Sequence, residues 1–211
     1  PLIVSPFLSG TRVEAGVPTP QIRPNQFMLA NSSSYSSPRT ATATITVSDG
    51  DAIHGMTAGQ KITLESFDGK KVDYFISDTG NGSPGVGHVA HLSPVSAGVT
   101  LDDGVTATLT EGATGVAIGI NLSQALPGGT DQGEFLKKLK SAIEHVNGHN
   151  GKIRVVHDKY PITSVDGNQS IVLTQNKSTH LGNTVITTNI SNVTKTNFTG
   201  GLDGQKILRS G

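Results

Sequence analysis

Histidines occur in two pairs whose spacing could hold a metal ion. His88 and His91 are separated by two residues, and His145 and His149 lie four apart at the end of a predicted helix. Residues four apart on a helix share one face, so the second pair could bind zinc together. However, Gly148 interrupts that helix, and neither pair belongs to an HExxH motif. We therefore interpret all four as solvated or hydrogen-bonding histidines and expect no metal site.

Aspartates and a glycine-rich stretch offer two further kinds of chemistry. Asp102 and Asp103, or Asp49 and Asp51, could bind calcium, but neither pair has the twelve-residue loop with its closing glutamate. Residues 80–85 match GxGxxG, yet a proline interrupts the motif and no amphipathic helix follows to hold a pyrophosphate. We interpret them as turn residues and a glycine-rich loop. The sequence thus predicts no catalytic residue, no cofactor and no enzymatic activity.

The composition argues against several classes of partner. The chain has 16 basic and 16 acidic residues, so no net field attracts nucleic acid or a membrane surface. It has no cysteine, which excludes disulfides and thiolate sites. Its longest apolar run, about Val116–Ile120, is far below the roughly 18 residues of a membrane span. Abundant Gly, Thr, Ser, Asn and Val favour short strands joined by tight turns.

The pattern of residues 41–211 predicts a β-rich globular domain. A helix is predicted at about 131–147, with Thr130 as its N-cap and an apolar stripe that includes Val146. We expect an α+β fold, in which this one amphipathic helix packs across an antiparallel sheet. Alternation and turn signals place the strands at 41–47, 61–66, 72–77, 99–110, 116–122, 153–156, 170–174 and 184–190.

Residues 1–40 differ from the rest and predict an extended N-terminal arm. The segment holds six of the ten prolines, which exclude a long helix or a central strand. It also carries apolar clusters that a disordered linker would lack. We expect these clusters to dock on a partner subunit, although the arm wrapping its own domain is the alternative. The predicted partner-binding residues are Leu2, Ile3, Val4, Phe7, Leu8, Phe27, Met28 and Leu29.

Two stretches carry a recognisable pattern. Residues 41–76 read ATATITVSDGDAIHGMTAGQKITLESFDGKKVDYFI, and residues 134–155 read EFLKKLKSAIEHVNGHNGKIRV, followed by QSIVLTQ, GNTVITTNISN and NFTGG. Together they resemble a module of virion structural proteins from tailed bacteriophages, especially marine and cyanobacterial ones. The resemblance covers about residues 41–201 and implies no catalytic residues. We interpret the exit of the helix as a C-cap and turn, in which Gly148 and Gly151 permit positive φ and Asn147 and Asn150 tolerate it.

The resemblance implies a non-enzymatic virion structural protein. Chains of this size with an extended arm are often capsid decoration (cement) proteins, so we expect it on the outer capsid surface, bound to the major capsid protein or another virion protein. A homo-oligomer is expected, with a trimer by analogy with cement proteins. The alternatives are a phage neck, tail or fibre component, or a carbohydrate-binding or adhesion module. The absence of Trp argues against the last, because sugar rings stack on exposed aromatics.

Overall fold

A computed structural model describes eight parts of the 211-residue chain. The chain divides into two compact units, one made of Pro1–Ser37 with Gln205–Gly211 and the other of Pro38–Gly204. In the first unit the described residues form one antiparallel hairpin, β1 (Arg12–Glu14) with β2 (Val17–Thr19). The described residues are 12–14, 17–19, 37–48, 55–80, 88–101, 104–122, 130–157 and 168–204.

The second unit contains a five-stranded mixed sheet in the order β10-β4-β5-β7-β6. Only the central β5 and β7 run parallel, and the other neighbours pair antiparallel. An Asp-Gly turn joins β4 to β5, and its Gly69 has φ +81, as such a turn requires. The strands are β4 (Lys61–Glu65), β5 (Lys71–Asp78), β6 (Pro94–Val95), β7 (Ala113–Ile120) and β10 (Thr187–Thr188).

A four-stranded antiparallel sheet, in the order β11-β3-β9-β8, forms the other layer. Burial alternates along its two central strands, because one face meets the core and the other carries mostly threonines, with Ser170 and Val172. The strands are β3 (Thr42–Val47), β8 (Ile153–His157), β9 (Gln169–Gln175) and β11 (Val193–Lys195). One apolar core contains side chains from both sheets and from the helix.

The helix α1 (Thr130–Glu144) supplies its predicted stripe to that core, with Phe135, Leu139 and Ile143 fully buried. It ends at Glu144, not at about 147, because the backbone of His149 turns back to donate to the carbonyl of Ile143 at 2.8 Å. Val146 therefore leaves the stripe and is 64% exposed. None of the helices described in the structure is both long and apolar enough to cross a membrane.

A second, smaller core covers the opposite face of the five-stranded sheet. Phe75 and Ala117 on β5 and β7 pack there against Val95, Leu101 and Ala107. The prediction of a strand at 99–110 is wrong for the described part of that segment, which forms a loop with one isolated bridge, Thr100 to Thr106. The apolar alternation that predicted a strand serves instead to seat this loop on the sheet.

The predicted class, a β-rich chain with one helix, is confirmed in outline, but the single antiparallel sheet is not. The described residues of the second unit form two sheets, and the larger sheet is mixed because β5 and β7, joined by a long crossover, pair in parallel. The predicted strand at 184–190 is reduced to Thr187–Thr188. Next to β10, the side-chain oxygen of Asn189 accepts a hydrogen bond of 2.6 Å from the backbone N–H of Lys61, at the start of β4. A side chain thus adds to the strand pairing at this point.

Candidate functional site

A buried tyrosine–histidine pair joins the exit of α1 to the β4–β5 hairpin. Tyr74 and His149 have no exposed surface, and Tyr74 Oη lies 2.6 Å from His149 Nδ1. His149 Nε2 lies 3.2 Å from the carbonyl oxygen of Lys70. Because a carbonyl only accepts, Nε2 carries the proton and Nδ1 accepts from the tyrosine hydroxyl. The neutral imidazole is therefore satisfied at both nitrogens.

Burial keeps this pair neutral. It lowers the pKa of His149 from 6.5 to about 4, and the positive charge of Lys70 acts in the same direction. The bond to the Lys70 carbonyl opposes this shift without reversing it. Burial also raises the pKa of Tyr74 above its ordinary value of 10.0. A base and a hydroxyl without exposed surface cannot contact a substrate, so the geometry favours a tie between elements.

Polar contacts around the pair strengthen the same junction. Lys70 Nζ donates to the carbonyl of Gly148, and Lys152 pairs with Asp68 in the hairpin turn. The hydrogen bonds from Lys152 and Ser66 lower the pKa of Asp68 to about 2. Lys70 of the hairpin thus contacts the helix exit, and Lys152, which follows the helix exit, contacts the hairpin.

The glycines of the helix exit serve different purposes, which corrects our interpretation of the motif. Asn150 and Gly151 do adopt positive φ, at +47 and +79. Gly148 does not, and it is needed because a Cβ atom there would collide with the carbonyl oxygen of Ala142. The chain doubles back over the last turn of α1, and only a residue without a side chain permits that approach.

Asp73 organises a second polar cluster on the face of β5 that meets the smaller core. It is fully buried, and it accepts from Lys61 Nζ at 2.8 Å, the backbone of Thr110 at 2.6 Å and Thr63 Oγ1 at 2.7 Å. Burial by itself would raise the pKa of Asp73, but these hydrogen bonds outweigh it and hold the pKa below 3.8. Lys61 Nζ also donates to the carbonyl of Thr108 at 2.7 Å and lies 5.3 Å from the ring centroid of Phe75. Asp73 therefore fixes the loop that covers the smaller core.

His91 fixes the start of the same loop to α1. Its Nδ1 accepts from the backbone of Gly119 at 3.2 Å, so Nε2 carries the proton and donates to Ser141 Oγ at 2.8 Å. Burial and the charge of Lys138 lower the pKa of His91 below 6.5. Asn147 Nδ2 adds a bond of 3.1 Å to the carbonyl of Leu92, which sits at φ +69. The histidine is a link between loop, sheet and helix.

The structure separates the residues that the sequence paired. His91 contacts the middle of α1 and His88 is exposed, whereas His149 is buried and His145 Nδ1 accepts from the backbone of Asn147 at 3.2 Å. Within the described ranges, no three His, Asp or Glu side chains gather as a metal site. Other predicted positions lie outside the described residues, namely Asp49, Asp51, Asp102, Asp103, residues 81–85 and the partner-binding residues Leu2, Ile3, Val4, Phe7, Leu8, Phe27, Met28 and Leu29.

The Asp73 cluster and the Tyr74–His149 pair were not predicted from the sequence. Residues 72–77 alternate between the two faces of β5, and that alternation marks Asp73 as a charge on a covered face once the loop is known to lie there. No local signal connects Tyr74 with His149, because 75 residues separate them along the chain.

No protein-family model matches the chain, and no match was found among curated proteins or among solved structures.

Proposed function

We propose that this chain is a non-enzymatic structural protein of a tailed-bacteriophage virion, specifically a capsid decoration protein bound to the outside of the head. Its partner is the major capsid protein, reached through the N-terminal arm. The resemblance of residues 41–201 to phage virion modules gives the class. The N-terminal arm predicted at residues 1–40, with its apolar clusters, gives the proposed mode of attachment.

The division of the chain is the observation that carries the proposal. Residues Pro1–Ser37 group with Gln205–Gly211, apart from the Pro38–Gly204 unit. Among the described residues of that larger unit, two cores are built from side chains between Ala41 and Phe198. We propose that the apolar clusters of residues 1–40 dock on a neighbouring molecule, as an attachment segment requires.

The two chain ends of the larger unit lie together, which also favours attachment by extended segments. The backbone of Arg39 donates to the carbonyl of Leu202 at 3.1 Å and accepts from its N–H at 2.9 Å. Both segments that continue from this unit therefore start at one place on its surface. A single contact area on a partner would suffice to hold them.

The chemistry of the titratable groups supports a structural role in the same way. His91, His149 and Asp73 each make hydrogen bonds that join a loop or hairpin to another element. Their shifted pKa values follow from burial and from these internal partners. Perturbed titration is a mark of catalytic sites, but structural networks produce it equally well.

Cryo-electron microscopy of purified virions tests the proposal. We expect density for the Pro38–Gly204 unit on the outer head surface, at junctions between capsid proteins and in many copies. Density at the neck, tail or fibres instead would support the alternative virion location. Absence of the protein from purified particles would contradict both.

A further inference from the structure

The two sheets of the Pro38–Gly204 unit have four edge strands among the described residues, and three of them are short. β6 has two residues and includes Pro94, β10 also has two, and β11 has three and ends at the exposed Lys195. Short strands, prolines and lysines are ordinary means of preventing a sheet edge from pairing with another chain. The fourth edge, β8 (Ile153–His157), has five residues and needs another kind of protection.

The direction of the β8 peptide groups shows which of them face outward. Asn176 N–H donates to the carbonyl of Lys152 at 2.8 Å, so position 152 bonds toward β9. Peptide groups of an antiparallel strand alternate in direction, and 154 and 156 therefore also face β9. Val155, in the middle of the strand, turns both its N–H and its C=O away from the sheet.

Two side chains of α1 occupy those outward groups. Glu144 Oε1 accepts from Val155 N–H at 3.1 Å, and Lys140 Nζ donates to Val155 C=O at 2.9 Å. Lys140 and Glu144 also pair with each other at 2.7 Å, one helical turn apart. A neighbouring strand would offer Val155 one acceptor and one donor in the same places.

We propose that the Lys140–Glu144 pair guards the β8 edge and keeps a second copy of this chain from adding its own β8 there. A second copy is the natural occupant, because two β8 strands can meet about a two-fold axis at Val155. The two Val155 residues would then exchange both hydrogen bonds, as in an ordinary antiparallel ladder. The inference depends only on α1 and β8, so it stands independently of the proposed function.

The test compares the full-length chain with its K140A/E144A variant. We expect amide exchange of Val155 to accelerate about tenfold or more, because its charged acceptor is lost, while Arg154 and Val156 stay protected by β9. Sedimentation of the double variant should show a species with twice the mass of the wild-type protein, and its proportion should rise with concentration. The control variant E134A/K137A removes the same two charges from α1 without touching β8, and it should sediment as wild type.

Cysteine cross-linking then locates the contact, since the chain has no cysteine of its own. In the proposed register Arg154 of one copy lies opposite Val156 of the other. Mixing K140A/E144A proteins that carry R154C or V156C should therefore give a disulfide-linked heterodimer. If Val155 exchange accelerates without association, or association occurs without this cross-link, the proposal is overturned. Should the double variant unfold, K140M/E144M, which keeps the length of both side chains without their charges, takes its place and must still associate.

Discussion

His149 shows how a residue of catalytic type can act as a structural contact. Both ring nitrogens have internal partners, Tyr74 Oη and the Lys70 carbonyl, and the ring has no exposed surface. At this scale the sequence predicted hydrogen-bonding histidines without a metal, but it did not identify their partners. The partner of a buried polar group depends on tertiary contacts, which local spacing does not report.

The low pKa of His149 makes stability depend on pH. His149 binds a proton near pH 6.5 in the unfolded chain but only near pH 4 in the folded one. Its contribution to the free energy of unfolding is therefore fully present above pH 6.5 and is lost as the pH falls from 6.5 to 4. We expect a loss of about 3 kcal/mol in the free energy of unfolding from this residue. Among the charged groups that act on the ring, Asp68, with a pKa of about 2, stays negative over this range of pH.

Urea unfolding between pH 7 and 4 measures this effect in the wild type and in His149→Gln. Glutamine can donate to Lys70 and accept from Tyr74 without titrating, so the variant should show a much shallower slope. His88→Gln, at an exposed position, is the matched control and should keep the wild-type slope. Equal slopes for all three proteins would mean that His149 does not carry the acid sensitivity.

The two glycines of the helix exit give a paired test. Gly148→Ala should lower the free energy of unfolding by about 3 kcal/mol or more, because the added methyl meets the Ala142 carbonyl and the backbone must move. Gly151→Ala should cost about 1 kcal/mol, the strain of positive φ with open space around it. Thermal or chemical unfolding of both variants decides the order. A larger cost at Gly151 would contradict the packing explanation.

At the scale of elements, most strong regular patterns predicted the right element, but the alternation at 99–110 did not form a strand. The stripe of α1 and the alternation in β3 and β9 are local and strong, so their burial follows from the sequence. The strands β6 and β11, of two and three residues, carry no periodicity that could be detected. The parallel pairing of β5 with β7 was missed because a crossover leaves no signal in either strand.

The Asp73 cluster joins β4, β5 and the loop that contains Thr110. We therefore expect its removal to lower the free energy of unfolding. Asp73→Ala leaves Lys61 in a mostly buried place without its carboxylate, which should destabilise the fold by about 3 kcal/mol or more. The matched control is Glu65→Ala. Glu65 forms an ion pair with Lys71, in which Oε2 and Nζ lie 3.9 Å apart and both side chains are about one-third exposed. That control should change stability by less than about 0.5 kcal/mol. Similar values for both would show that burial of the Asp73 cluster adds nothing.

At the scale of the whole molecule, we propose that the Pro38–Gly204 unit folds by itself and that the N-terminal arm attaches it to a partner. The described part of the larger unit has two cores and a set of hydrogen bonds that join its loops, its helix and its sheets. Composition predicted short strands and a chain without enzymatic chemistry, and the arm was predicted from its prolines and apolar clusters. Neither the composition nor the pattern of prolines and apolar clusters identifies the arm's binding partner, because an interface is formed by residues of two molecules.

The most direct measurement compares the full chain with a chain lacking residues 1–30, for folding and for binding to heads prepared without this protein. We predict a melting temperature within a few degrees of the full chain and loss of co-sedimentation with the heads. Phe7→Ala and Phe27→Ala in the full chain should each weaken attachment by about 1–3 kcal/mol. Deleting residues 205–211, the other segment of the first unit, controls for truncation itself. A shortened chain that unfolds, or that binds heads as well as the full chain does, would contradict the account.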